Sequence, residues 1–326
     1  MKYDALLVVS FGGPEGMDEV MPFLENVTRG RNIPRERLMS VAHHYELFRG
    51  VSPINQQNRD LIAALKEELR ANGPDLPIYW GNRNWHPLLP EALREMAADG
   101  VRNALAFVTS AYSSFSSCRQ YRQNIGAAQQ EVGPGAPAIE KLRAFYNHPL
   151  FIEANIDRIR TATAGVRPSH LAFTAHSIPE SMAANCEYAA QLEETGSLIA
   201  QALGVTNWRL VYQSRSGSPA QPWLGPDICD HLHELDGAGM KDVVVAPIGF
   251  VSDHMEVVYD LDVEAQQLAG ELGMKMVRAA TAGTHPSFVK MIRELILERV
   301  DNVPARFLGS RGATHSICPA DCCLAG

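Results

Sequence analysis

Residues 243–256 read V-V-V-A-P-I-G-F-V-S-D-H-M-E. The first six are apolar and mostly β-branched, with no alternation of polar residues. A half-buried strand alternates; a continuous run closed by a glycine is the pattern of a strand covered on both faces. Such strands form parallel sheets with helices on either side, so this stretch decides for an α/β architecture. Just past it, the chain presents Ser252, Asp253, His254 and Glu256. In open α/β sheets ligands lie beyond the carboxyl ends of the strands, where these polar side chains fall.

The same pattern recurs outward from this stretch. Leu171–Thr174, Arg209–Tyr212 and Met274–Arg278 read as strands around it, and Leu6–Val9, Pro77–Trp80, Ala104–Thr109 and Ala138–Leu142 form an earlier set. Helix-length segments separate them. Arg59–Ala71 carries Leu61, Ile62, Leu65 and Leu69 at helical spacing, and Pro286–Val300 carries Phe288, Met291, Ile292, Leu295 and Ile296 on one stripe. Leu89–Ala98 and Glu187–Leu203 behave likewise. The expectation is two doubly wound, Rossmann-like domains, each with a four-stranded parallel sheet flanked by helices. We place them at residues 1–150 and 151–303, joined near Asn147–Ile159, with a cysteine-bearing tail at 304–326.

Composition removes several classes. The chain has 326 residues, 46% hydrophobic and 20% charged, enough for two ordinary globular domains. A formal net charge of -8 without a long basic run argues against nucleic acid as a partner. No run of apolar residues is long enough for a transmembrane segment, and no signal peptide is expected ahead of the strand near Tyr3. A cytoplasmic setting follows, in which disulfides are not expected among the six cysteines.

Candidate chemistry clusters at strand ends. Leu171–Thr174 runs into A-H-S-I-P, so His176 faces a ligand-binding edge, where a neutral imidazole binds a divalent metal or accepts a proton. The competing reading is a histidine that merely bonds its turn. Glu256, Asp260 and Glu264 are spaced four and four, one acidic line on a helix. Most such rows are solvated faces, but like charges at this spacing destabilise a helix, and a carboxylate ladder guides a hard cation. The first strand ends in S-F-G-G-P, an incomplete nucleotide-loop pattern that we read as a close-approach turn presenting Phe11. Arg49-Gly50-Val51-Ser52-Pro53, with Arg29 and Arg31, offers cations and a hydroxyl to a carboxylated ligand. Cys318, Cys322 and Cys323 crowd the tail and suggest an iron–sulfur or zinc site, with Cys118, Cys186 or Cys229 as the fourth ligand.

Taken together, the segments S-F-G-G-P, G-V-S-P-I-N, A-H-S-I-P-E, Q-P-W-L-G-P-D and G-F-V-S-D-H-M-E-V-V-Y-D-L-D resemble the ferrochelatase family over residues 3–300. The resemblance implies the chelatase fold and a lyase that inserts Fe²⁺ into a porphyrin during haem biosynthesis. It implies that His176 and Glu256 form the catalytic and metal-transfer pair. The acidic path on a segment containing a π-helix would be Asp260 and Glu264. It implies that Ser52 and Tyr121 contact porphyrin and that His86 is a second cleft histidine; from the residues themselves we add Phe11 as a wall and Arg29 as a cation for the porphyrin carboxylates. The tail is similar to that of members in which a [2Fe–2S] cluster is held by Cys318, Cys322 and Cys323 with Cys118, leaving Cys186 and Cys229 as ordinary thiols. The segments W-G-N-R-N-W-H-P and T-S-A-Y-S-S-F-S-S-C-R-Q-Y look most like actinobacterial members acting on coproporphyrin III. Phe11 departs from the tyrosine that many of those carry, and a phenyl ring cannot ligate iron.

The expected partners are thus porphyrin and ferrous iron, with monomer and homodimer both open. Four rivals remain, one of them a generic flavodoxin-like nucleotide binder, against which the incomplete glycine pattern and the absent acidic ribose partner count. Protoporphyrin IX is the alternative substrate. A cobalt chelatase for precorrin-type rings would use more histidines. A non-catalytic haem or porphyrin carrier would not need the acidic row.

Overall fold

The computed structural model describes residues 2–30, 33–165, 168–216 and 221–325; Arg31 lies outside them. The chain divides into two compact units. The first comprises Met1–Thr109, Tyr121–Leu142 and Ser252–Met255; the second comprises Ser110–Gln120, Arg143–Val251 and Glu256–Gly326.

The first unit holds β1 (Ala5–Ser10), β2 (Ile78–Asn82), β3 (Asn103–Val108) and β4 (Ala138–Lys141), all parallel in the order β2-β1-β3-β4. Every residue of β1 is buried, which explains the unbroken apolar run from Ala5 to Val9. Each fully buried Leu or Val contributes about 1.5–3 kcal/mol, so this strand adds substantially to the stability of its sheet. On one face Leu7, Val9 and Ala106 pack against Leu93, Met96 and Ile125. The Leu89–Ala98 helix starts where Pro90 sits in its first turn and the Glu91 carboxylate accepts from Leu88 N at 2.7 Å.

The second unit repeats the topology with β5 (Leu171–His176), β6 (Trp208–Gln213), β7 (Asp242–Ala246) and β8 (Lys275–Arg278), again parallel, in the order β6-β5-β7-β8. Val211, Val245 and Met276 pack against Leu232, Val257 and Leu261 on one face. Phe145 meets Phe151 and Phe288 edge to face elsewhere in the unit, and those two meet tilted, with centroids 5.5 to 6.1 Å apart. The helices Pro149–Ala162 and Pro286–Val300 begin alike. A histidine precedes the proline, and its Nδ1 accepts from the N–H two residues on, His148 from Leu150 and His285 from Ser287, each at 3.2 Å.

All eight expected strands are present, within a residue or two of their expected ends. The helices Leu89–Ala98 and Pro286–Val300 match to the residue. Expected Arg59–Ala71 is the body of a longer helix, Ile54–Asn72, and the stretch expected as the join is largely the Pro149–Ala162 helix. In each sheet strand order reverses beside the central strand, between β1 and β3 and between β5 and β7. Ligands collect at such switch points.

Candidate active site

His176 is the last residue of β5, and Glu256 lies in the first turn of the Met255–Tyr259 helix that follows β7. The two strands flanking the switch point of the second unit therefore supply one side chain each. His176 Nε2 stands 3.4 Å from Glu256 Oε2. The other ring nitrogen, Nδ1, donates to the Ser177 carbonyl at 2.5 Å, which fixes the ring and leaves Nε2 as the reactive edge. The imidazole is 31% exposed and the carboxylate 47%, so both reach solvent. Burial pulls the His176 imidazolium down, but the Glu256 charge and hydrogen bond, with the Ser177 carbonyl and Asp260, lift it to about 9.

Several contacts hold this edge. Tyr188 Oη donates to the His176 carbonyl at 3.0 Å, and Ser177 Oγ donates to Leu224 O at 2.7 Å. A bridge between Pro179 and Trp223 adds to the latter, so the W-L-G-P run braces the A-H-S-I-P turn. Gly249 is required by close approach: a Cβ there would stand 2.5 Å from Ala175 Cβ. Its N–H donates to Thr174 O at 3.0 Å, drawing the exit of β7 against the end of β5.

Behind Glu256 the helix widens into a π-helix, Asp260–Ala265. Such widening is uncommon and recurs at functional sites. Asp260 accepts from Ser214 Oγ and stands 3.4 Å from Gln213 Nε2. Burial raises its carboxyl; the Ser214 hydrogen bond opposes this, and Glu256 and Glu264 add to it, leaving it at about 7. Glu264, exposed, is also raised, by burial and then by Asp227.

The expected porphyrin contacts fall in the first unit. Phe11 is half-buried and meets Phe23 edge to face at 6.3 Å. Tyr121 is buried, and Arg83 stacks over both rings, 5.5 Å from Phe11 and 5.0 Å from Tyr121. Ser52 is buried, its N–H on Pro14 O at 2.8 Å, so S-F-G-G-P and G-V-S-P lie together. His86 is 61% exposed and pairs with Glu91 at 3.0 Å. Arg29 is exposed.

In the second unit, Cys118 lies in another π-helix, Phe115–Arg119. Arg119 Nη1 donates to Ala320 O at 2.8 Å and to Cys322 O at 2.7 Å, which ties the tail to that helix. Cys322 and Cys323 Sγ are 3.3 Å apart, and the hydrogen bond from Cys118, then burial and Cys322, push the Cys323 thiol far up. All six cysteines are free thiols, and among the described residues no group of three or more His, Cys, Asp or Glu side chains has metal-holding geometry. Among the described residues no helix is long and apolar enough to cross a membrane.

The family profile described as Ferrochelatase matches residues 3–300. The chain belongs to the ferrochelatase family. A relative from Rhodopirellula baltica named ferrochelatase is 57% identical over 99% of this chain and 93% of its own length. One from Streptomyces coelicolor named coproporphyrin III ferrochelatase is 51% identical over 99% of this chain and 94% of its own. Among solved structures, the sirohydrochlorin chelatase SirB from Bacillus subtilis with Fe³⁺ superposes with a TM-score of 0.58 at 11% identity, over 92% of this chain and 98% of that one. That likeness concerns the fold alone. Membership of the ferrochelatase family makes the chain a lyase that inserts metal into porphyrin, with Fe²⁺ as substrate.

Gln213, Ser214 and Arg83 were not singled out in the sequence. Each directly follows or closes a strand, the signal that found His176, but amide, hydroxyl and guanidinium side chains are common at strand ends and carry no motif of their own.

Proposed function

We propose that this ferrochelatase inserts Fe²⁺ into coproporphyrin III, with His176 and Glu256 as the reacting pair. The pair at 3.4 Å, backed by Asp260, is the observation that carries the reading. Metal entry replaces two pyrrole protons by one divalent cation, so charge balances only if both protons leave. An imidazole with a single free edge suits proton uptake from pyrrole nitrogen. A carboxylate opposite it suits delivery of a hard cation. With its pKa lifted, His176 holds a proton in the absence of iron. The approach of Fe²⁺ to Glu256 cancels the charge that keeps that proton, freeing the imidazole as a base. Asp260, titrating near neutrality, and Glu264 then form the exit for protons.

Phe11, Tyr121 and Arg83 offer aromatic faces and a cation to the ring edge and its carboxylates, with Ser52, His86 and Arg29 as further contacts. Coproporphyrin III carries four propionates against two on protoporphyrin IX, and the name of the Streptomyces relative favours it. Anaerobic turnover of Fe²⁺ with each porphyrin tests this. A higher kcat/KM for coproporphyrin III is expected; equal or reversed preference overturns the substrate assignment, and no turnover at all leaves a porphyrin carrier.

We infer in addition that Cys118, Cys318, Cys322 and Cys323 hold a [2Fe–2S] cluster in a cytoplasmic, reducing setting. The residues fit in part. The Cys323 thiol meets both Cys118, in the π-helix, and Cys322, 3.3 Å away, and Cys318 lies one residue ahead of the turn closed by Cys322 N on Pro319 O at 3.3 Å. Such a cluster supplies a one-electron redox couple, which metal insertion does not use; here its thiol ligands would pin the tail.

A further inference from the structure

We propose that Gln213 is the positioning residue that sets the separation of His176 from Glu256, an inference that rests on reading those two as the reacting pair. Gln213 is the last residue of β6 and lies beside His176 in the parallel register. Its backbone carbonyl accepts from Ser177 N at 2.8 Å, holding the turn that carries the imidazole. Its side-chain Nε2 donates to the Glu256 carbonyl at 3.0 Å and faces Asp260 Oδ2 at 3.4 Å, holding the helix that carries the carboxylate. One residue thus grips both sides of the pair.

The amide has one workable orientation. Reversed, Oε1 would face the Glu256 carbonyl, which cannot donate, and the hydrogen bond to that helix would be lost. In the working orientation Oε1 is buried and has no hydrogen-bond partner among the described residues. The side chain is only 1% exposed. A buried orphan of this kind carries an uncompensated desolvation cost. The next residue adds a second cost: Ser214 has φ 62°, in the left-handed region that non-glycine residues avoid, and its hydroxyl reaches Asp260. Two consecutive residues therefore sacrifice local stability to hold the Glu256 helix. That is the expected balance for a device that fixes catalytic geometry.

Steady-state kinetics of Gln213→Met and Gln213→Asn test it. Methionine keeps the volume without donor or acceptor; asparagine keeps the amide but falls a methylene short. In either, kcat should fall about tenfold to a hundredfold, the scale of a misplacement near 1 Å, while the porphyrin KM stays within about twofold. Should the methionine variant fail to fold, the asparagine variant decides. In a Glu256→Gln background, adding Gln213→Asn should cost almost nothing further, because the residue acts through Glu256. Unchanged kcat in the single variants, or losses that multiply in the double variant, overturn the proposal. Full activity of Glu256→Gln alone would instead remove the reading of the pair, so the two failures are distinguishable.

Discussion

His176 Nε2 and Glu256 Oε2 lie 3.4 Å apart, and the imidazole's other nitrogen is committed to the Ser177 carbonyl. One edge of the ring is therefore left for both the carboxylate and the substrate. Replacing His176 by alanine should lower kcat about 10²–10⁴-fold, the usual worth of a positioned acid or base. In Glu256→Gln the counter-charge is gone, burial remains, and the imidazole should titrate well below 9. Histidine NMR across pH 5–10 reads this directly; a resonance still titrating near 9 would contradict the pairing.

Stability should depend on pH in opposite senses at two histidines. His176 is raised from 6.5 to about 9, so its contribution is full below pH 6.5 and is lost as pH climbs through 9. His148 is lowered to about 3, by burial and then by Arg143 and Arg306, so its contribution is present above pH 6.5 and is lost as pH falls toward 3. His148→Asn keeps a helix-capping acceptor and removes the titration. Its acid-unfolding midpoint, followed by circular dichroism, should move to lower pH; an unmoved midpoint would mean that the neutral imidazole is no determinant of acid stability.

Gly249→Ala places a methyl group 2.5 Å from Ala175 Cβ and 2.6 Å from Ala175 Cα, one residue before His176. Neither atom belongs to a side chain that can swing away. Overpacking of this kind costs about 1–3 kcal/mol, and here the displacement falls on the catalytic edge. Urea unfolding should show the loss of stability, and kcat should drop further than the porphyrin-binding affinity. A variant with native stability and turnover would show that β5 and the β7 exit do not need this contact.

Cys323→Ser and Cys318→Ser should each yield colourless protein with less acid-labile sulfide and a lower melting temperature, whereas Cys186→Ser should keep its colour. Cys323 is buried among the thiols, so its loss breaks the set at its centre. Unchanged visible absorption in the Cys323 or Cys318 variant would remove the cluster assignment.

Much of this arrangement is legible in the sequence. The strands could be read because those buried on both faces need uninterrupted apolar residues, as β1 and β7 show. Helices were harder. Met17–Val27 has a clear stripe in Val20, Phe23 and Leu24, but Pro22 inside it reads as a helix breaker, and Arg35–Glu46 buries only Leu38 and Tyr45, too few for a strong stripe. Pro149–Ala162 was concealed because it is buried on most sides, which blurs helical periodicity. The four-residue spacing of Glu256, Asp260 and Glu264 was visible, but its meaning depended on whether the backbone winds as α or π there, which side-chain identity does not reveal.

The sequence by itself determined the two parallel sheets, the strand ends at which His176 and Glu256 lie, and the family. These follow from local runs of residues and from motifs. Tertiary structure alone decided that an imidazole and a carboxylate eighty residues apart in the chain meet at bonding distance, that Gln213 spans them, and that Arg83 lies over Phe11 and Tyr121. Those relationships depend on the order in which strands pair, on the tilt of each turn and on one side chain's rotamer against another. They are properties of distance in space, and no spacing along the chain encodes them.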